Sequence, residues 1–219
     1  MSESSFSGDR LAQPSQRRTQ KRDLIVEAAV QVFAEKGFHQ ARISDIATRA
    51  GVADGTIYLY FKNKEDLLLS IFEEKMDELL DGMHAALDGI EDPLDRVRRF
   101  AQHHFLQVRD NRAAAEVLQV ELRLSNKFLK EYRPEKLWDY LNIFADIVRS
   151  GQHAGLFRPE IDPFIAMWGF FGGLDEIAMQ WVLARNHQRI QLEEAAHQVA
   201  EIFIRGMLIT QTQQNSEES

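Results

Sequence analysis

Leu24, Ile25, Ala28, Ala29, Val32 and Phe33 recur at three- and four-residue intervals, which places them on one face of a helix over residues 19–36 that Gly37 closes. The same period runs through 43–50 and 54–60. It resumes over 64–89, where Asn63 is placed to cap and Asp66 follows three residues later. Asp92-Pro93 predicts another start, because Asp caps and Pro is tolerated in the first turn, and apolar spacing carries that helix to Val108. Asn111 or Arg112 opens a further helix through Val117, Leu118, Leu122 and Leu124 to Ser125. The segment 127–154 contains Pro134, where a kink or break is expected, and ends at Gly155. Asp162-Pro163 repeats the earlier start for a helix to about 184, and a last one runs over 192–209. No strand-like alternation competes, so the fold class is all-α, with eight to ten helices.

Within this series the stretch 43–60 has its own logic. Ala47 is small enough for a second helix to cross it, Gly51 suits a tight turn at positive φ, and Ile57 supplies the apolar side chain of the second helix. Ile46, Ala50, Val52 and Tyr60 complete the buried set. Ser44, Asp45, Thr48, Arg49, Asp54, Gly55 and Thr56 are left outside. This is the spacing of a helix-turn-helix, which can dock in a DNA major groove; an ordinary αα-hairpin has the same spacing. The organisation is therefore a polar, disordered arm over 1–16, a helix-turn-helix domain over 17–64, a helical effector-binding and dimerisation domain over 65–211, and a polar, disordered tail over 212–219.

Charge changes the picture. The net charge of −8 argues against DNA binding, yet residues 1–64 carry ten basic and seven acidic side chains, whereas the rest carry sixteen and twenty-seven. A basic head on an acidic body confines contact with DNA to the head. The chain has no cysteine, which excludes disulfides, thiolate metal sites and cysteine nucleophiles. No apolar run is long enough to span a bilayer, so a cytoplasmic protein without a membrane partner is expected.

The body offers one sensor-like constellation. Leu118 and Leu122 share a face, with Arg123 and Asn126 near the end of the same helix; on the later helix Trp168, Phe171, Gly172, Asp175 and Met179 form a stripe. Apolar lining broken by a few polar groups suits a pocket, and equally an ordinary core. If Asp175 or Arg123 faces inward it requires a partner, either the other or a ligand. His103 and His104 are adjacent and so point apart on a helix, leaving one of them able to face a pocket. With no metal-ligand spacing and no phosphate-cradling glycine loop, catalysis is not expected and neither is a cofactor. The small residues Ala166, Gly169, Gly172 and Gly173 would let a partner helix approach closely.

Ile25-Val-Glu-Ala-Ala29, Phe33-Ala-Glu-Lys-Gly-Phe38, Ile46-Ala47, Ala50-Gly51-Val52, Gly55-Thr56-Ile57-Tyr58 and Tyr60-Phe61-Lys62-Asn63-Lys64-Glu65-Asp66-Leu67 resemble the TetR family of bacterial transcriptional repressors. Val52 to Asp66, Val120-Glu-Leu-Arg-Leu-Ser-Asn126, Leu174-Asp-Glu176 and Trp181-Val182 resemble one branch of it, the FadR-type regulators of fatty-acid degradation. The resemblance implies that Thr56, Tyr58, Tyr60, Lys62 and Lys64 meet the DNA backbone, with Ser44 at the start of the second helix and Gly55 in the same DNA-facing set. Tyr60 also occupies a core position, and Leu59 suits either a thymine methyl or packing. Arg42 stands where the family commonly has Thr or Ser; it suits a phosphate or a guanine. Ala53-Asp54 stand where Ser-Lys is common, and Asp54 suits a helix cap or a cytosine amino group.

The branch further implies a repressor that binds palindromic operator DNA as a homodimer through the last two long helices and is released by long-chain acyl-CoA. On that basis the acyl chain is expected among Phe100, Phe105, Leu118, Leu122, Trp168 and Phe171, with His104 beside it and Arg96, Arg98 and Arg99 as candidate phosphate contacts. Two rivals use the same residues. One is a multidrug-sensing repressor stacking a flat cation on Phe100, Trp168 and Phe171 with Asp175 or Glu176 as counter-charge; the other is a helical enzyme that processes acyl-CoA.

Overall fold

The computed structural model describes residues 14–121, 133–184 and 189–209, and among them it is helical without a strand ladder. The helices are α1 (Pro14–Lys36), α2 (Ile43–Ala50), α3 (Asp54–Ile57), α4 (Lys64–Leu87), α5 (Pro93–Asp110), α6 (Arg112–Glu116), α7 (Glu135–His153), α8 (Pro163–Leu183) and α9 (Leu192–Met207), with a π-helical turn over Val117–Glu121 directly after α6. Leu122, Arg123 and Asn126, all expected in the ligand site, lie outside the described residues, as do 1–13 of the arm, 210–211 at the end of the body and the whole tail over 212–219.

The punctuation follows the side chains. Asn63 Oδ1 accepts from the Asp66 N–H at 2.8 Å, and Asp92 and Asp162 accept from the N–H groups of Leu94 and Phe164 at 2.8 Å, each ahead of a first-turn proline in the latter two cases. Gly37, Gly51, Gly89 and Gly155 all sit at φ near +70° after helix ends. Pro134 stands at the N-cap of α7, the break expected at that proline. Two boundaries differ from expectation. α1 begins at Pro14, so residues 14–16 assigned to the arm are helical, as a proline in the first turn permits. The helix expected to reach Ser125 becomes π-helical at Val117. Each π turn inserts an extra residue between hydrogen-bonded partners, so the 3.6-residue period that aligned Leu118 with later positions fails there.

α1, α2 and α3 form the head. It does not stand apart, because α1 also packs on α4 and α6. Arg22 pairs with Glu74 across the α1–α4 seam. In the body α5 is central, packed against α4, α7, α8 and α9. Its core is aromatic: Phe100 meets Tyr140, Phe144 and Phe170 with ring centroids 5.0, 5.7 and 5.8 Å away, and Phe144 stacks on Phe170 at 4.0 Å. Gly151 lets the Phe157 ring lie against α7; a Cβ there would stand 2.0 Å from the ring.

Candidate nucleic-acid interface and ligand cavity

The head is built as its spacing requires. Ala47 and Ile57 are each 1% exposed. The turn after α2 is a Schellman motif, in which the Gly51 N–H bonds to the Thr48 carbonyl and the Val52 N–H to the Ala47 carbonyl, with Gly51 at φ +68°. At the other end of α2 Arg42 occupies the N-cap without a side-chain bond to the backbone; its own N–H donates to Asp45 at 3.0 Å. Lys36 pairs with the same carboxylate at 2.9 Å, and these two partners, the Lys36 ammonium first, hold Asp45 below the usual range.

The expected recognition helix over 54–60 is shorter. α3 ends at Ile57, and the chain continues through bonds from the Leu59 N–H to the Thr56 carbonyl and from the Tyr60 N–H to the Ile57 carbonyl, a tighter winding. That geometry turns Tyr58 and Leu59 outward, 57% and 73% exposed. At such exposure Leu59 has no packing role among the described residues. Arg42, Ser44, Asp54, Gly55 and Lys62 are exposed on the same head and Thr56 is half-buried. Asp54 is the first residue inside α3, and Ala53 is its cap, so the capping role expected for Asp54 is not realised; its carboxylate instead sits in the favourable field of the helix N-terminus. Tyr60 is half-buried against the core, with the Arg18 guanidinium 6.0 Å from its ring centre.

Lys64 is a correction. Its ammonium donates to the carbonyls of Phe38 and Ala41, the latter at 3.0 Å, and lies 4.5 Å from the centre of the Phe38 ring. The α1–α2 loop turns its carbonyls toward the start of α4, and Lys64 ties the loop there instead of facing outward toward phosphate.

In the body the expected acyl-chain lining does not converge. Phe100 is 1% exposed inside the aromatic core, where it can stack on no ligand, acyl or cationic. Phe105 faces the α5–α9 seam, in a cavity of about 200 Å³ with Leu106, Leu192 and Ala196. Trp168 lies near the surface, 5.5 Å from Trp138, and Gly172 is on the outer face of α8. Met179 is half-buried on α8, and Phe171 turns inward toward His104, ring centres 6.2 Å apart. Asp175 is buried, and one of its partners is Gln119, whose amide donates at 2.7 Å. Arg98 is held by Glu201 at 2.8 Å and Asp95 at 2.9 Å, and Arg96 donates to the Ile90 carbonyl, so two of the three arginines expected at phosphate are engaged within the chain.

Two expected residues do meet. His104 and Leu118 line one apolar cavity of about 90 Å³ with Leu79, Val108, Ala114, Ala115 and Gln119. His104 is 5% exposed. Its Nδ1 lies 2.9 Å from the Tyr140 hydroxyl, and its Nε2 is buried without a hydrogen-bond partner. Burial first, and His103 second, lower its pKa to about 4, so the ring is neutral. Tyr140 is fully buried, and burial keeps its hydroxyl protonated. With Nδ1 protonated the Tyr140 hydroxyl hydrogen is left without an acceptor; with Tyr140 donating to Nδ1 the imidazole hydrogen sits on Nε2, which has no partner within the chain, so the second arrangement is the one in which a group from outside can complete the set.

A polar cleft of about 700 Å³ adjoins this cavity. Its walls come from α1 (Arg22, Glu27), α4 (Glu74, Glu78) and the α5–α6 junction (Asn111, Arg112), and it shares Lys75, Glu78, Asn111 and Ala114 with the apolar cavity. Sequence reasoning missed this cleft. Its only trace was the change of helix at Asn111, since the polar faces of α1 and α4 read as solvated surface.

The outer face of α8 and α9 is apolar and open. Ile165 and Ile202 are 65% and 67% exposed, and beside Gly169, Phe203 and Gly206 they line a groove of about 600 Å³. Gly169 and Gly172 are exposed as the small-residue surface requires, whereas Ala166 points into its own chain.

Comparison with known proteins agrees with this architecture. Residues 25–71 match the profile of bacterial regulatory proteins of the tetR family, and residues 72–206 match that of the YsiA-like protein C-terminal region. A fatty acid metabolism regulator protein of Bacillus subtilis is 39% identical over 183 residues, covering 84% of this chain and 93% of its own. Among solved structures, the fatty acid degradation regulator FadR of Bacillus halodurans superposes with a TM-score of 0.78 at 40% identity, covering 85% of this chain and 95% of that one. FadR of Bacillus subtilis in complex with stearoyl-CoA gives 0.77 at 38% identity, covering 84% and 98%. No described helix is long and apolar enough to cross a membrane.

Proposed function

Because the chain belongs to the TetR family of bacterial regulatory proteins, we propose that it is a repressor of fatty-acid degradation genes that binds palindromic operator DNA as a homodimer and releases it when a long-chain fatty acyl-CoA enters the body. The observation that carries this is the junction of the polar cleft with the apolar cavity behind the head. An amphiphile with a charged head and an apolar tail matches that change of lining, and a relative 38% identical is known with stearoyl-CoA. Lys75, Arg22 and Arg112 are the cations of the cleft, set among the carboxylates of Asp23, Glu27, Glu74, Asp77, Glu78 and Asp110, so an anionic head has to draw Arg22 from Glu74 and Lys75 from Glu78; Leu79, Val108, Ala115 and Leu118 supply the apolar wall.

The cavity is smaller than a long acyl chain, so entry parts its walls. The π turn over Val117–Glu121 is the element suited to re-register, since its hydrogen bonds are already off the α-helical ladder. A ligand here touches α1 of the head and α4 of the body at once, and strain at their seam, where Arg22 pairs with Glu74, changes the separation of the two heads in a dimer. The open groove of α8 and α9 is the natural dimer face, an apolar surface with glycines for close approach. Tyr58, Leu59, Arg42 and Lys62 then face DNA.

The test is to select bound duplexes from a random pool, with and without palmitoyl-CoA, and to measure mass by light scattering. Enrichment of one palindrome that palmitoyl-CoA abolishes, from a protein of twice the chain mass, is the expected result. A monomer, or enrichment that ignores palmitoyl-CoA, overturns it.

A further inference from the structure

The cavity beside α6 carries polar atoms that the chain itself leaves unsatisfied. His104 Nε2 and Gln119 Oε1 are both buried without a hydrogen-bond partner, and both residues line the same small space, whose walls are apolar at Leu79, Val108, Ala115 and Leu118 and polar at the Lys75, Glu78 and Asn111 side shared with the cleft. Buried polar groups are almost always paired, so two such atoms on one cavity mark where an external group is received. Each is held in place by its other end: His104 by the Tyr140 hydroxyl at 2.9 Å, and Gln119 by the Asp175 carboxylate at 2.7 Å. The bond from the Gln119 amide nitrogen to Asp175 fixes which end of the amide faces the cavity, and the oxygen there can only accept. In the tautomer in which Tyr140 donates to Nδ1, Nε2 offers a hydrogen.

We propose that His104 is the specificity-determining residue of the effector site: its Nε2–H donates to the thioester carbonyl oxygen of the acyl-CoA, so the protein recognises the acyl linkage and not merely an apolar tail on a coenzyme. The inference rests on the acyl-CoA reading of the cavity and names the contact within it. A neutral imidazole donor suits a neutral carbonyl. A free carboxylate would bring its charge against neutral His104 and beside the acceptor oxygen of Gln119, so the same arrangement disfavours the free fatty acid. Leu118, Leu79 and Val108 line the same cavity, and at a buried atom an unmet hydrogen bond is costly.

The experiment compares palmitoyl-CoA with S-hexadecyl-CoA, its thioether lacking only the carbonyl oxygen, by calorimetry on the full chain. The wild type should bind the thioester about tenfold more tightly. His104→Phe should bind the two alike, and His104→Gln, whose amide can place a donor near Nε2, should keep part of the preference. In the wild type the Nε2–H proton resonance should move downfield with palmitoyl-CoA and stay put with the thioether, a readout that needs no variant to fold. Equal affinities in the wild type overturn the inference while leaving the acyl-CoA reading intact. A preference that survives His104→Phe removes the role from His104. Failure of both ligands to bind the wild type overturns the underlying reading and the inference with it.

Discussion

The head and the body solve their packing at different ranges. In the head, Ala47, Gly51 and Ile57 act on one another within eleven positions of chain, and the turn that joins them is closed by its own backbone. In the body, the cavity beside His104 takes its walls from α4, α5, α6 and the π turn, and the polar cleft adds α1. Local construction fixes the head's geometry within one short stretch of chain. The body's space depends on several distant segments, so a small shift of any wall changes it.

The comparison predicts first that the body tolerates no loss at its centre. Phe100→Ala removes a ring in contact with Tyr140, Phe144 and Phe170 and should cost about 3–5 kcal/mol in urea unfolding. Because α1 packs on α4 and α6, the head should melt with the body in one transition. A separate, unshifted head transition would show the head to be independent, contrary to the packing of α1.

Acid weakens local contacts in the body before those of the head. In the unfolded chain His104 takes up its proton near pH 6.5, but in the folded body only near pH 4. Between these values the unfolded state binds more protons, so stability is fully present above about pH 6.5 and is lost as pH falls toward 4, by roughly 3 kcal/mol. His103, lowered by burial and by Arg99, acts in the same direction. In the head, Asp45 is held low by Lys36 and the Arg42 N–H, so its contribution is lost only below the ordinary carboxylate range. At pH 5, amide exchange should therefore rise in α5 and α7 before it rises in α2. Replacing His104 with Gln should flatten the upper part of the profile; an unchanged profile would show that the buried imidazole is not responsible.

How much of this was legible follows from the same difference in range. The head could be read from spacing, and the helix starts at Asn63, Asp92 and Asp162 from single caps. Phe100 and His104, both on α5, were both expected at the ligand, yet one is core and the other lines the cavity. Helical periodicity tells which face turns inward; it does not tell whether a side chain or a space awaits it. The π turn broke the register on which the Leu118 face had been drawn, and nothing in Val117-Leu-Gln-Val-Glu121 announces an i→i+5 pattern. Gln119 was invisible for that reason, although Asp175 had been marked as needing a partner.

The smallest effects lie within the head, and they test whether its surface divides as its geometry says. Lys62 and Lys64 are two residues apart, and the family resemblance implies the same phosphate contact for both. Lys62 is exposed, so Lys62→Met should leave stability within about 0.5 kcal/mol while lowering the salt dependence of duplex binding by roughly 0.9 in log–log slope for each phosphate that its ammonium neutralises. Lys64 holds the carbonyls of Phe38 and Ala41, so Lys64→Met should cost about 1–2 kcal/mol in stability and leave that slope unchanged. The opposite outcome for Lys64, a reduced slope at full stability, would mean that its ammonium leaves the loop when DNA arrives. The α1–α2 loop would then respond to binding, and the contrast between a fixed head and a responsive body would have to be redrawn at Phe38.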